Sequence, residues 1–169
     1  MGQEITAILT NQKLSIPKVV VHFQEGECLI IPVNLGFSAT SELIQSAANF
    51  DSWTDFIAFV NDNENGRKRD DDSWSIEDLI ALIRSLGLHT FIIEHYSEWA
   101  GIPADYCFAA VIEDSVIRES IVDGQTDWVN SSRIESYYGL MGLSGYWVAN
   151  EDRYFSFRQA ARSYRKLNN

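Results

Sequence analysis

The stretch His89–Trp99, HTFIIEHYSEW, holds two of the chain's three histidines and two glutamates. Histidine beside carboxylates is the residue set of general acid–base catalysis. With a third donor it is also the residue set of a zinc site. Spacing separates these options. The apolar residues before Glu94 predict a strand, on which an even separation puts His89 and His95 on the same face. Six residues of strand span roughly 20 Å, so the two histidines cannot share an ion. Only His22 remains as another imidazole, and no metal and no cofactor is expected. Acid–base chemistry needs less. His95 or Glu94 could act with Glu98, Asp105 or Glu113 from a neighbouring element, although adjacent residues on a strand point to opposite faces. The reading the sequence favours is simpler: a strand whose polar tip meets water.

Two further constellations are weaker. Cys28 or Cys107 with His22 or His95 would make a nucleophile pair, but neither cysteine stands in a glycine-flanked or helix-opening context that lowers a thiol pKa. YCFAAV, around Cys107, reads as core. With no CxxC, both cysteines are expected to be buried reduced thiols. In GLMGLSG, Gly139, Gly142 and Gly145 follow a predicted helix and precede a predicted strand. A phosphate loop has the opposite order, and no lysine follows.

The elements that must position these residues are those of a small α+β domain. EITAILT, KVVVHF and CLIIPVNL predict three strands of an antiparallel meander, with QEGE as a turn at Gly26. Pro32 predicts an edge strand or an early end. SATSELIQSAANF predicts a helix opening near Ser41 and Glu42. DSWTDFIAFVND predicts a second, capped by Asp51 or Ser52, with Trp53, Phe56, Ile57 and Val60 on one face. SWSIEDLIALIRSLG predicts a third, with Ser75 and Asp78 as a capping box and Gly87 as the stop. HTFIIEHY and, after a turn at GIPAD, YCFAAVIED predict strands buried on two faces. Residues 115–130 are ambiguous. SSRIESYYGLMG predicts a helix, GYWVANEDRYFSF a hairpin, and residues 156–169 a basic C-terminal helix. The expectation is one domain over 1–169, subdivided if anywhere near 63–74, with a small antiparallel meander or mixed sheet and about four to five helices.

Composition bounds the function classes. The chain has 169 residues and is 46% hydrophobic, enough for a packed core. It carries no run of about 18 apolar residues and no basic start followed by an apolar stretch, so a cytoplasmic location with no membrane contact is expected. The net charge of −11 hides an asymmetry. Residues 1–152 hold all 24 acidic and only 8 basic side chains, a net of −16, whereas the remainder carries +5 and no acid. Such a body repels nucleic acid and attracts basic surfaces. In the loop NENGRKRDDD, Arg67, Lys68 and Arg69 abut Asp70, Asp71 and Asp72 and neutralise one another.

Two stretches resemble the ArdA-type antirestriction proteins, acidic proteins that imitate DNA and occupy type I restriction enzymes. In FIIEHYSEWAG, Tyr96, Trp99 and Gly101 fit the family's pattern, and His95 stands where an acid is usual. In ESYYGLMGLSGYWV, the fitting residues are Glu135, Tyr137, Met141, Leu143, Tyr146 and Val148. A basic C-terminal helix is not usual in that family. The resemblance implies a non-enzymatic inhibitor.

A mimic must display carboxylates in a surface row comparable with the dense charge of a duplex. The candidates are Asp51, Asp55, Asp62, Glu64, Asp70, Asp71, Asp72, Glu77 and Asp78. Glu113, Asp114, Glu119, Asp123 and Asp127 follow further along, and Trp74 is a candidate aromatic anchor. The partner expected is a protein with a basic surface, not nucleic acid itself, with a homodimer left open. Two alternatives stand beside this reading: an immunity-type protein neutralising a basic toxin, and a small α/β enzyme using His95, Glu94 and Glu98.

Overall fold

The computed structural model describes residues 3–33, 35, 37–62, 74–99, 102–123 and 139. The strands are β1 (Gln3–Thr10), β2 (Phe23–Glu25), β3 (Cys28–Val33), β4 (Phe91–Trp99), β5 (Ile102–Glu113) and β6 (Val116–Asp123). Between β3 and β4 come α1 (Phe37–Ala47), α2 (Trp53–Asp62) and α3 (Ile76–Ser85). The strands form one six-stranded sheet in the order β2-β3-β1-β4-β5-β6. Every neighbouring pair is antiparallel.

The sheet joins two three-stranded antiparallel units along a seam; only β4–β5–β6 is a meander, because β1 pairs with β3 and leaves β2 outside it, which corrects the meander expected of the first three strands. β2–β3–β1 arises from the first 33 residues and β4–β5–β6 from the later ones, and β1 joins them along β4, with Thr6 opposite His95 and Ala7 opposite Glu94. Because side chains alternate, this register sorts the sheet into two faces. Ile8, Ile31, Phe91, Ile93, Ala110 and Ile112 belong to the core that includes Leu43, Ile44, Phe56, Leu79 and Ile83 of the helices. The ring of Trp53 meets Phe91 edge-on at 5.3 Å, fastening the start of α2 to the sheet. The second face, with Ala7, Leu9, Ile30, Ile92 and Val111, is buried as well.

Local sequence explains the helices well. Ser75 caps α3: its hydroxyl accepts from Asp78 N, while the Asp78 carboxylate accepts from Ser75 N at 2.8 Å. Gly87 then takes φ +65°, where a side chain would be strained. On α2 the cap is Ser52, whose hydroxyl lies 3.4 Å from Asp55 N. Gly26 turns β2 into β3 at φ +59°.

Several expectations are corrected. KVVVHF is not a strand: only Phe23 enters β2, because Pro17 starts a turn closed by Val20 N donating to Pro17 O. GIPAD is not a turn, since β5 begins at Ile102, opposite Trp99, and runs through Pro103 to Asp105. Residues 116–123, ambiguous in sequence, form β6. Pro32 lies in a strand with two neighbours, but β2 pairs only with residues 28–30, so β3 is an edge at Pro32 itself. Three helices are described, fewer than the four to five expected, and α1 starts at Phe37, before Ser41. The predicted helix at SSRIESYYGLMG, apart from Gly139, the predicted hairpin at GYWVANEDRYFSF and the basic helix over 156–169 lie outside the described residues.

Candidate functional site

The opening stretch supplies the whole of β4, and Glu94 and His95 fall at its middle rather than at a tip. Glu94 and His95 are both fully buried, because β4 is flanked by β1 and β5 and covered on both faces. The expected polar tip in water is therefore overturned. The sequence missed this because Glu and His are seldom placed in a sheet interior.

His95 faces the helices. Its Nδ1 lies 2.7 Å from Oγ1 of Thr6, its partner on β1. The Thr6 hydroxyl donates to the Leu35 carbonyl at 2.8 Å. A hydroxyl has one proton, so Thr6 must accept from His95, and the neutral imidazole carries its proton on Nδ1. Thr40 of α1 adds its hydroxyl 3.3 Å from that of Thr6. Desolvation lowers the His95 pKa from 6.5 to about 4, which keeps the ring neutral at pH 7. Thr6 and Thr40 had no signal in sequence, since they stand 89 and 55 positions from His95.

Glu94 faces the other way, opposite Ala7. It shares its face with Cys28, whose thiol is pushed up to about 11, first by burial and in smaller part by the charges of Glu25 and Glu94. Cys28 and His95 thus lie on opposite faces and cannot form a nucleophile pair. Tyr96 pairs with Cys107 along the backbone, and Glu98 pairs with Gln3. His89 is exposed and bonded to neither His22 nor His95: its Nδ1 lies 3.4 Å from Asp114 Oδ1. Among the described residues no three His, Cys, Asp or Glu side chains are grouped to hold a metal ion, and no helix is long and apolar enough to cross a membrane.

One exposed acidic cluster lies at a corner of the described structure. The β5–β6 turn places Asp114 and Ser115 at φ 50° and 64°. It is fixed from two sides. Ser115 N donates to His89 O at 2.8 Å, and Asp114 N to the Thr90 hydroxyl at 3.1 Å. Trp53 N donates to Ser115 O at 2.8 Å, and Ile117 N to Asp51 O at 2.9 Å, flanking a bridge between Ser52 and Val116. The start of α2 is thereby stitched to the turn. Carboxylates 60 positions apart, Asp51 and Asp55 with Glu113 and Asp114, become neighbours in space, and all four are exposed. Arg118 binds Glu113 at 3.0 Å. Among the described residues no cation pairs with Asp51 or Asp55. Asp62, also exposed, lies two turns beyond Asp55 on the same face of α2, roughly 10 Å along the axis.

The other candidates divide. Asp78 is half-buried and engaged in the α3 cap, and Glu77 is half-buried. Trp74 is 5% exposed and belongs to the core, so it is no surface anchor. It precedes a capping residue whose helix packs on the sheet, which draws the indole inward. Glu64, Asp70, Asp71, Asp72 and Asp127 lie outside the described residues. Glu119 and Asp123 belong to β6. No protein-family model matches the chain, and no curated protein or solved structure matches it either.

Proposed function

We propose that the protein acts by binding rather than by catalysis, presenting the acidic corner of α2 and the β5–β6 turn to a protein partner with a basic surface. The observation that carries this reading is the stitching of Asp51–Trp53 to Ser115–Ile117. It fixes carboxylates from two distant segments on one rigid surface, so their charge acts together on an approaching cation. Binding is preferred to the enzyme reading because two of that reading's three residues, Glu94 and His95, point to opposite faces and are closed to solvent.

The resemblance to ArdA-type antirestriction proteins supplies a partner class, a DNA-binding enzyme of the restriction type with the acidic corner seated in its basic groove. The alignment of Asp55 and Asp62 along α2 suits a groove that accepts a row of phosphates. The immunity-type alternative is favoured by a different feature. Phe59 and Val116, 41% and 36% exposed, border the corner and would add apolar contact with a basic toxin.

Competition separates the two forms. Titrated into a complex of such an enzyme with duplex DNA, the protein displaces the DNA at low salt and fails at high salt if it is a mimic. Tight binding to a basic protein that does not bind DNA, weakened by Phe59→Ala, supports the immunity form. Binding to neither class at low salt contradicts the proposal.

A further inference from the structure

The acidic corner has a histidine beside it, the side-chain type that changes charge between pH 5 and 8. His89 lies on the approach from α3 to β4, and its Nδ1 stands 3.4 Å from Asp114 Oδ1, with both side chains exposed. The other two histidines are engaged elsewhere. His22 Nδ1 donates to Val20 O at 2.9 Å, and His95 is buried within β4.

Backbone contacts hold this pair together. Ser115 N donates to His89 O at 2.8 Å, and Asp114 N to the Thr90 hydroxyl at 3.1 Å. That hydroxyl also lies 3.3 Å from His89 Nδ1 and 3.4 Å from Asp114 Oδ1. From the end of β1, Gln12 Oε1 accepts from His89 N at 3.1 Å and from Thr90 N at 3.4 Å, while its Nε2 donates to Gly87 O at 2.9 Å. A neutral amide thus clamps residues 87–90 on one side, and the β5–β6 turn holds them on the other. Little side-chain freedom is left to lose when the ring and the carboxylate pair, which is the usual cost of a surface ion pair.

The charged groups around His89 are few. On the β5–β6 turn, Glu113 is bound by Arg118 at 3.0 Å. On the α2 side stand Asp51 and Asp55, both exposed. Arg84, in the last turn of α3, and Lys13, next to Gln12, form no ion pair among the described residues. With the ring neutral, the uncompensated charge of the corner is therefore that of Asp51, Asp55 and Asp114. With the ring protonated, Nδ1–H faces Asp114 with a full positive charge, and Asp51 and Asp55 remain.

We propose that His89 is a proton-operated switch on the acidic corner: protonation pairs the ring with Asp114 and lowers the affinity of the corner for a basic surface. This inference rests on the proposed binding function and adds its regulation. A proton on His89 and a basic partner draw on the same negative charge, so each weakens the binding of the other. Binding is strongest above the imidazole range and declines as pH falls through it. Carboxylates alone would give no such decline, because they ionise mainly below pH 5.

The probe is rhodamine-labelled octalysine, whose side chains stay protonated up to pH 8. Its binding to the full chain is followed by fluorescence anisotropy at low salt. From pH 8 to pH 5.5 the affinity is expected to fall about two- to fivefold in wild type, and equally in His22→Gln. In His89→Gln it is expected to be the same at both pH values. Without the probe, the amide resonances of Asp114 and Ser115 are expected to move over this range in wild type and to stay still in His89→Gln. A decline that survives in His89→Gln overturns the proposal, as do amides in wild type that do not respond to pH. Should His89→Gln fold poorly, Asp114→Asn decides: a decline as large as in wild type overturns the proposal. If octalysine does not bind at pH 8 although the amides respond to His89, the binding reading fails and the switch fails with it. If octalysine binds equally at both pH values, the switch alone fails.

Discussion

Thr6 Oγ1 and His95 Nδ1 meet at 2.7 Å across the seam between β1 and β4, where the two halves of the sheet join. The single Thr6 proton goes to Leu35 O, so the imidazole must donate. This contact ties β1, β4 and the approach to α1 into one buried polar unit. Thr6→Val is isosteric but leaves the Nδ1–H without its acceptor. It is expected to lower unfolding free energy by about 1–3 kcal/mol, read from denaturant midpoints at constant m-value. Thr6→Ser restores the acceptor and most of the stability.

The same unit sets a pH dependence. The folded-state pKa of His95 is about 4, against 6.5 for the unguarded ring. Between these values the unfolded chain binds the proton more readily, so stability rises with pH across that window and falls as pH drops from about 6.5 to about 4. A shift of this size corresponds to roughly 3 kcal/mol. Chemical denaturation at pH 7 and pH 4 is expected to show a larger loss for wild type than for His95→Asn, which keeps a donor but does not titrate. Equal losses in both proteins would remove His95 from the account.

The β5–β6 turn carries local strain. Ser115 holds φ 64°, a conformation that disfavours a residue with a Cβ, and Asp114 precedes it at φ 50°. Ser115→Gly relieves the steric cost while preserving the backbone bonds to His89 and Trp53. A gain of up to about 1 kcal/mol is expected, seen as a higher melting temperature. A loss would mean that the neighbouring bonds already impose the conformation and that glycine only adds freedom to the unfolded chain.

What was legible in the sequence follows the range of the interactions. The α3 cap, the Gly87 stop and the Gly26 turn depend on residues a few positions apart, so Ser75, Asp78 and the glycines announced them. The period-two rule separated Glu94 from His95 onto opposite faces of β4. Burial of that pair was not legible. It depends on β1 and β5 flanking β4, which is set by pairings nearly 90 residues apart. Trp74 misled for a related reason, since an aromatic beside an acidic loop looks exposed until its helix is packed. The acidic corner was half legible. Asp51, Asp55, Glu113 and Asp114 were recognisable as candidates, but only the Ser52–Val116 bridge brings them together.

The central claim, that the acidic corner recognises a basic protein surface, is tested most directly by affinity capture with a charge-reversed variant. Wild-type protein and Asp51→Lys/Asp55→Lys/Asp114→Lys are immobilised, exposed to host lysate at low and high salt, and the retained proteins identified by mass spectrometry. The account predicts a basic partner held by wild type at low salt, released at high salt, and absent from the variant. Retention of the same partner by both proteins, undiminished by salt, would contradict it.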